Sequence, residues 1–411
     1  MFNTISVIGL GYIGLPTAAI IASRGINVIG VDVSQSAVDT INKGEVHIVE
    51  PDLDIVVRSV VQTGMLKAVT TPEPADAFMI AVPTPFKGDH QPDLSYIEAA
   101  AKAIASVLEK GNLVVLESTS PVGTTEKLAG WLADARPDLT FPLNGAASTD
   151  VNVAYCPERV LPGYVLQELV SNDRVVGGLS SECAQKAVLL YEIFVKGECL
   201  ISNARTAEMA KLTENSFRDV NIAFANELSL ICDTVQINVW ELIKLANRHP
   251  RVNILKPGPG VGGHCIAVDP WFIVSSDPEN AKIIKTAREV NDGKPHYVVD
   301  KVVKAADRFK EPVIACLGLS FKANIDDMRE SPAVQIVEAL VEVEAGHLLV
   351  VEPNVKKLPD SLEGKANKTN LTAALLQADI VLLLVDHKEF RKIQAERLHG
   401  CVIIDTRGVW V

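Results

Sequence analysis

The sequence predicts an α/β protein: two Rossmann-like, doubly wound domains joined by a long central helix and a helical linker. Three observations carry this. Short apolar runs alternate with helical patterns in the first and last parts of the chain, the mark of parallel sheets covered by helices. A glycine fingerprint, Gly9-Leu10-Gly11-Tyr12-Ile13-Gly14, stands between the first apolar run and the first helical pattern. Thr206–Val235 keeps helical periodicity without Gly or Pro, a length that usually crosses between domains or forms a dimer core.

The elements follow in order. Thr4–Ile8 is an apolar run ending in a glycine. Val28–Val33, Ala77–Val82, Leu113–Glu117 and Val153–Cys156 come next, with helical patterns such as Ser95–Leu108 between them. The strand signal is lost over 204–250. It returns from about Glu311, with Pro312–Leu317, His347–Val351, Ala378–Val385 and Val402–Asp405 as strands and Ala333–Val343 as a helix. The last part echoes the first. Ile314-Ala315-Cys316-Leu317-Gly318-Leu319 has the character of Ser6-Val7-Ile8-Gly9-Leu10, and Ala378-Asp379-Ile380-Val381 that of Ala75-Asp76-Ala77-Phe78. The expected domains are 1–203, 204–300 and 301–411, with a ligand site in a cleft between domains.

A chain of 411 residues exceeds one ordinary domain, and 48% hydrophobic with 22% charged residues excludes a disordered chain. A formal charge of −12 argues against nucleic acid as partner. An anionic ligand would have to be met by local Arg/Lys clusters and helix N-termini. The seven cysteines are odd in number, scattered and without CxxC, which suits reduced thiols in a cytoplasmic enzyme. Ile5 to Ile21 is apolar but lacks a basic flank and is interrupted by three glycines and Pro16, so it reads as a strand and helix, not a signal peptide. No apolar run of about 18 residues offers a membrane span. The eight histidines form no HxxxH set, so no metal is expected.

In the fingerprint, Gly9 makes the tight turn, Gly11 lets a pyrophosphate approach and Gly14 lets helix pack on strand, with Tyr12 and Ile13 opening the helix. The pyrophosphate then lies at a helix N-terminus. Asp32 ends the second strand, 18 residues after Gly14. A carboxylate there bonds ribose hydroxyls and repels a 2′-phosphate, and residues 33–36 contain no arginine to accept one, so NAD is expected over NADP. The loops Val82-Pro83-Thr84-Pro85 and Ser118 to Thr125 follow later strands at the ends where ligands bind in open α/β sheets. They add Thr84, Thr119 and Thr125 as candidates, although Ser, Thr and Pro are also ordinary loop residues.

The stretch Gly258-Pro259-Gly260-Val261-Gly262-Gly263-His264-Cys265 sets one cysteine in a glycine-rich loop, with Asp269 four residues on. Glycine lets backbone approach a ligand closely, and a thiol there can reach a substrate carbon. An inert buried thiol is the ordinary fate of cysteine. A hydride acceptor together with a nucleophilic thiol points to oxidation of an alcohol past the aldehyde to the acid. An aldehyde has no hydride to give until a nucleophile makes it tetrahedral. His264 adjoins Cys265, and neighbours in a chain rarely point at each other, so it reads as structural. Lys211, Asn215 and Arg218 are spaced i, i+4, i+7 and share a helix face that is polar within an apolar segment. Such a face looks into a site or into solvent.

Taken together, these residues resemble the UDP-glucose/GDP-mannose dehydrogenase family. The resemblance spans essentially the whole chain: GLGYIGLP, STSPVG, CPERVLPG, AEMAKLTENSFRDVNIAFANE, NRHPRVN, GPGVGGHCIAVDP and GLSFKANIDDMRESP. It implies a four-electron oxidation of a sugar C6 alcohol with two NAD, through a thiohemiacetal and thioester on Cys265. It implies Lys211 as acid/base or oxyanion stabiliser, Glu158 as catalytic glutamate, and Asp269 and Thr119 ordering the hydrolytic water with Lys211. Arg159, Val160, Asn215, Arg218, His249, Arg251, Gly262, Phe321 and Lys322 would contact the nucleotide sugar in a C-terminal UDP-sugar-binding domain, and Arg329 would reach NAD. Val268 stands where the UDP-glucose branch typically has a lysine. That resembles the branch acting on 2-acetamido sugars and makes UDP-N-acetylmannosamine the expected substrate, for bacterial surface polysaccharide. UDP-N-acetylglucosamine and a two-electron hydroxyacid-type reaction are the alternatives. A homodimer through 204–250, with Arg251 reaching the neighbour's site, completes the expectation.

Overall fold

The computed structural model describes residues 2–88, 90–143, 149–161, 163–263, 266–394 and 398–410. The chain forms two compact units, 1–213 and 214–411, and the division falls inside one long helix, Ala204–Thr234.

In the first unit an eight-stranded sheet runs in the order Cys199–Asn203, Arg174–Gly178, Asn152–Tyr155, Leu113–Leu116, Ala77–Ile80, Thr4–Ile8, Asn27–Val31, Leu66–Val69. Six strands, from Leu66–Val69 across to Asn152–Tyr155, are parallel. Arg174–Gly178 pairs antiparallel with Asn152–Tyr155, and Cys199–Asn203 lies parallel to it. Ala77–Ile80 and Leu113–Leu116 are buried at every residue, which is why they read as unbroken apolar runs. Ala77 and Met79 feed one hydrophobic cluster while Phe78 and Ile80 feed the other, so the sheet separates two cores. The strand order reverses beside Thr4–Ile8, the position where open α/β sheets bind ligands.

Before its sheet, the second unit holds, among the described residues, the rest of the long helix and three further helices, Val239–Ala246, Asp269–Ser276 and Lys282–Ala306. Asn238 caps the first of these, accepting the Trp240 and Glu241 N–H groups. Five parallel strands follow in the order Asn367–Lys368, His347–Val351, Val313–Leu317, Ile380–Leu383, Val402–Asp405. Among the described residues, no helix is long and apolar enough to cross a membrane.

The α/β class, the two Rossmann-like sheets and the long central helix match the expectation. Several elements were not foreseen, among them the short strands Leu66–Val69 and Asn367–Lys368. Arg174–Gly178 begins with an arginine and ends in two glycines, and Cys199–Asn203 is an exposed edge, so neither carries an apolar run. Lys282–Ala306 contains Gly293 and Pro295, which read as breakers. Pro295 is buried, and Gly260 lies against its ring.

Candidate active site

The fingerprint turn has the geometry that its three glycines imply. Gly9 adopts φ +92°, and a Cβ there would meet the Ala81 carbonyl oxygen at 2.6 Å. A Cβ on Gly14 would stand 1.8 Å from the Gly9 carbonyl oxygen. A Cβ on Gly11 would meet no atom within 4 Å, so the space beside that backbone is open. Asp32 braces the turn, its Oδ2 accepting the Leu10 N–H and its Oδ1 the Ser34 N–H, both at 2.9 Å. Tyr12 is exposed and Ile13 half-buried at the start of the helix. Gly9, Gly11, Gly14 and Asp32 therefore fit a dinucleotide: a tight turn, an uncovered backbone and an acid at the neighbouring strand end.

The later loops of the same unit are tied to each other. Thr84 Oγ1 donates to the Thr119 carbonyl at 2.6 Å. Thr125 donates both its N–H and its hydroxyl to Glu208 Oε1, and Gly123 N–H donates to Glu208 Oε2. Glu208 is fully buried on the long helix and holds the start of Thr124–Ala135. Burial pushes its carboxyl upward against the pull of those hydrogen bonds. The hydroxyl of Thr125 is thus committed to the scaffold.

Glu158 is buried. Its Oε2 accepts from Arg174 Nη1 and its Oε1 from the Arg159 N–H, both at 2.6 Å. Arg159 also donates to the Asp173 carbonyl, and Val160 packs on the adjacent core. Behind this pair Tyr191 O–H donates to Glu117 Oε1 at 2.7 Å, and Arg174 lies 5.6 Å from the Tyr191 ring centre. Burial, then the neighbouring Glu158, push Glu117 up to about 7. Burial also pushes the thiol of Cys156 up. Arg174 pairs directly with Glu158, and its charge together with the Tyr191 hydrogen bond offsets only part of the upward push on Glu117.

On the long helix Lys211 and Asn215 are buried on one face while Arg218 is exposed. Asn215 Nδ2 donates to Asp269 Oδ2, which is buried at the start of Asp269–Ser276. Cys265 and His264 lie outside the described residues. The glycines before them admit no side chain. A Cβ on Gly262 would lie 2.3 Å from the Glu330 carbonyl oxygen and 3.1 Å from Phe321, and Gly263 (φ +85°) rests on the Phe321 ring. The structure therefore brings Phe321 against the loop that leads to Cys265. Lys322 is exposed beside it. Arg329 holds Asp327 of its own loop through Nε and Nη2. His249 and Arg251 are exposed on a loop that Asn247 staples, accepting the Ile254 N–H and donating to the Ile254 carbonyl. Among the described residues Arg251 forms no ion pair.

Family models for three domains cover this chain: the NAD binding domain over residues 3–195, the central domain over 205–293 and the UDP binding domain over 315–411. The chain belongs to the UDP-glucose/GDP-mannose dehydrogenase family. It is 67% identical over 409 residues to NDP-N-acetyl-D-galactosaminuronic acid dehydrogenase of Ralstonia nicotianae, covering 100% of this chain and 96% of that protein. It is 64% identical over 417 residues to UDP-N-acetyl-D-mannosamine dehydrogenase of Salmonella typhi, covering 100% and 99%. Among solved structures it resembles UDP-D-ManNAc dehydrogenase from Pyrococcus horikoshii, with a TM-score of 0.89, 40% identity and coverage of 99% and 96%. The protein is accordingly an NAD-dependent oxidoreductase of nucleotide sugars.

Sequence reasoning missed buried polar residues that brace loops and strands within each unit. Glu208, Arg174, Glu117 and Asn226 are all buried and all hydrogen-bonded or ion-paired. A polar residue on a buried face of an apolar pattern was the available signal. It was read only at 211, 215 and 218.

Proposed function

We propose that this protein oxidises the C6 alcohol of UDP-N-acetyl-D-mannosamine to the uronate, a four-electron reaction using two NAD. The observation that carries the reading is the segment Gly258–Asp269. Its glycines leave no room for side chains against Phe321 and Glu330, and its terminal aspartate is held by Asn215. Such a segment allows backbone and a thiol to approach a substrate closely. The mannosamine dehydrogenase from Salmonella typhi supports the choice of sugar.

NAD, when bound, supplies the acceptor for a hydride from C6 in each of two rounds. Gly9, Gly11 and Gly14 would hold its pyrophosphate, Asp32 its ribose, and Tyr12, Ile13, Thr84 and Arg329 its remaining edges, while Thr125, with both donors held by Glu208, would shape the loop beside it. Cys265 adds to the C6 aldehyde and makes that carbon tetrahedral, so that it can be oxidised again to a thioester. Lys211 takes the proton of the first alcohol and stabilises the oxyanion beside Cys265. Asp269, held as an acceptor by Asn215, orders the water that hydrolyses the thioester, with Thr119. Glu158, fixed between Arg174 and the Arg159 N–H, orients groups at that centre and does not itself shuttle freely. Arg159, Val160, Asn215, Arg218, His249, Arg251, Gly262, Phe321 and Lys322 bind the nucleotide sugar.

The reading extends to assembly and setting. Phe217, Phe224 and Ile231 are spaced by seven residues along the long helix and are 69%, 52% and 50% exposed. A stripe of that kind suits a second copy of the chain, in a homodimer that lets Arg251 reach the neighbour's site. Phe217→Glu with Phe224→Glu should sediment as a monomer. Family models over 3–195, 205–293 and 315–411 support reading the chain as three domains, 1–203, 204–300 and 301–411. Free cysteines and a nucleotide-sugar substrate suit the cytoplasm and surface-polysaccharide biosynthesis.

A second reading is favoured by the Ralstonia relative: an N-acetylgalactosamine-type sugar in place of the mannosamine. The test is kcat/KM over UDP-N-acetylmannosamine, UDP-N-acetylgalactosamine, UDP-N-acetylglucosamine and UDP-glucose. UDP-N-acetylmannosamine should lead. UDP-glucose should trail by orders of magnitude, because a pocket that bonds an acetamido group is left with unpaired polar atoms. A lead for the galacto sugar would transfer the assignment to it.

A further inference from the structure

The long helix and Lys282–Ala306 share a buried polar seam in the second unit. Arg288 Nη1 donates to Asp219 Oδ1 at 2.6 Å. Asn291 Nδ2 donates to the same Oδ1 at 2.8 Å and to the Asp219 carbonyl at 3.1 Å. Asn226 Nδ2 donates to Asn291 Oδ1 at 2.8 Å, and Asn226 Oδ1 accepts the N–H of Gly258 at 2.8 Å. All four side chains are at most 1% exposed.

The seam has a direction. Arg288 can only donate, and the Asp219 carboxylate can only accept. The amide of Asn291 must therefore turn its NH2 to Asp219 and its oxygen to Asn226. Asn226 must then turn its NH2 to Asn291, which leaves its oxygen facing the chain at Gly258. Apolar residues would hold two helices together at least as well as buried amides do, so helix packing alone does not account for this arrangement. Its last link is a loop backbone. Asn215, eleven residues earlier on the same helix and about 16 Å away along its axis, holds Asp269.

We propose that Asn226 is a positioning residue for the reaction: with Asn291 and Asp219 it fixes the start of the Gly258–Asp269 segment, as Asn215 fixes its end, so that both ends are referred to one helix. The inference rests on the reading that this segment carries the nucleophile. Gly258 fits the role. It is buried, and a Cβ there would lie 2.6 Å from Arg407 Nη1, so the segment's start is closed on one side and tethered on the other.

The test compares Asn226→Leu with Lys294→Met in the full-length protein. Lys294 is also buried between the two helices, where it donates to Ser229, and among the described residues it makes no hydrogen bond to the segment. Both variants should lower Tm. Asn226→Leu alone should lower kcat by about 10–100-fold, the scale set by misplacing a reacting group by about 1 Å, with KM for NAD unchanged. It should also speed deuterium uptake by the peptide covering 254–263 and alter the rate of Cys265 alkylation by iodoacetamide. Asn226→Asp keeps an acceptor for the Gly258 N–H but loses the donor to Asn291, so it should lower Tm yet keep uptake at 254–263 close to native and kcat well above that of Asn226→Leu. Equal kcat and equal uptake in Asn226→Leu and Lys294→Met would overturn the proposal. Should Asn226→Leu not fold, faster uptake at 254–263 in Asn226→Asp would overturn it instead, and native uptake there would uphold it. A native enzyme that oxidises no UDP-sugar would sink the functional reading, while uptake at 254–263 would still decide the tether.

Discussion

Gly9 and Gly318 each end the first strand of a sheet, with φ +92° and +93°. In each unit an acid at the end of the neighbouring strand accepts the N–H of the next residue, Asp32 from Leu10 at 2.9 Å and Glu352 from Leu319 at 2.7 Å. The surroundings of the two acids then diverge. Asp32 is half-buried, with Leu10 on one oxygen and Ser34 on the other. Glu352 is buried and also takes the N–H groups of Ser320 and Asn354 and the Nε2 of His387 at 3.0 Å. Asn324 N–H donates to His387 Nδ1, so the ring proton sits on Nε2 and points at Glu352. The same topological device thus leaves one acid with lone pairs for ribose hydroxyls and fills the other with internal donors. Topology supplies the turn. The acid's neighbours decide whether a dinucleotide can use it.

That contrast can be broken most sharply by removing each acid. Glu352→Ala strands several buried donors and should cost about 3–5 kcal/mol of stability while leaving KM for NAD native. Asp32→Ala should do the reverse, raising KM for NAD about 10–100-fold, narrowing the preference over NADP and moving Tm little. Thermal unfolding and steady-state kinetics on both cofactors read the pair. Equal NAD defects in the two variants would mean that the second turn also serves the dinucleotide.

A smaller effect sharpens the first turn alone. Gly11→Ala enters open space and should change stability by less than about 0.5 kcal/mol, yet weaken NAD. Gly14→Ala drives a Cβ into the Gly9 carbonyl and should destabilise the fold. A Gly11→Ala protein with native KM for NAD would remove Gly11 from the cofactor site.

The smallest effect is in pH. Burial, then Glu158, raise Glu117 from 4.5 to about 7, so its neutral form stabilises the fold below 4.5 and that contribution is lost as pH rises through about 7. Burial pushes Glu352 up, but hydrogen bonds from His387 and backbone N–H groups outweigh it and hold the carboxyl below 4.5. Its contribution is present above that value and is lost as pH falls through the lowered one. Glu117→Gln should therefore flatten the fall of Tm between about pH 4.5 and 7 and leave the limb below 4.5 unchanged. A native fall of Tm between those two values in that variant would show that Glu117 does not titrate there.

Thr4–Ile8, His347–Val351 and Val402–Asp405 are strands with the expected bounds; the first two are buried beyond their first residue and so read as apolar runs, while Val402–Asp405 is an edge strand in which only Ile404 is buried, marked by its apolar start alone. Arg174–Gly178 escaped notice because Arg174 belongs to a strand only by virtue of Glu158, sixteen residues earlier. Asn215 could be placed from helical spacing. Asn226 could not, because its partners Asn291 and Gly258 lie 65 and 32 residues away. Residues that touch a ligand cluster in motifs that can be recognised. Residues that hold those motifs acquire their meaning from contacts far apart in the chain.

The most direct measurement is the count of NADH formed per UDP-N-acetylmannosamine when limiting sugar is consumed to completion by the purified protein. The account predicts two NADH per sugar, uronate as the product and no free aldehyde, with nearly all turnover lost in Cys265→Ser. One NADH per sugar with aldehyde accumulating would contradict it.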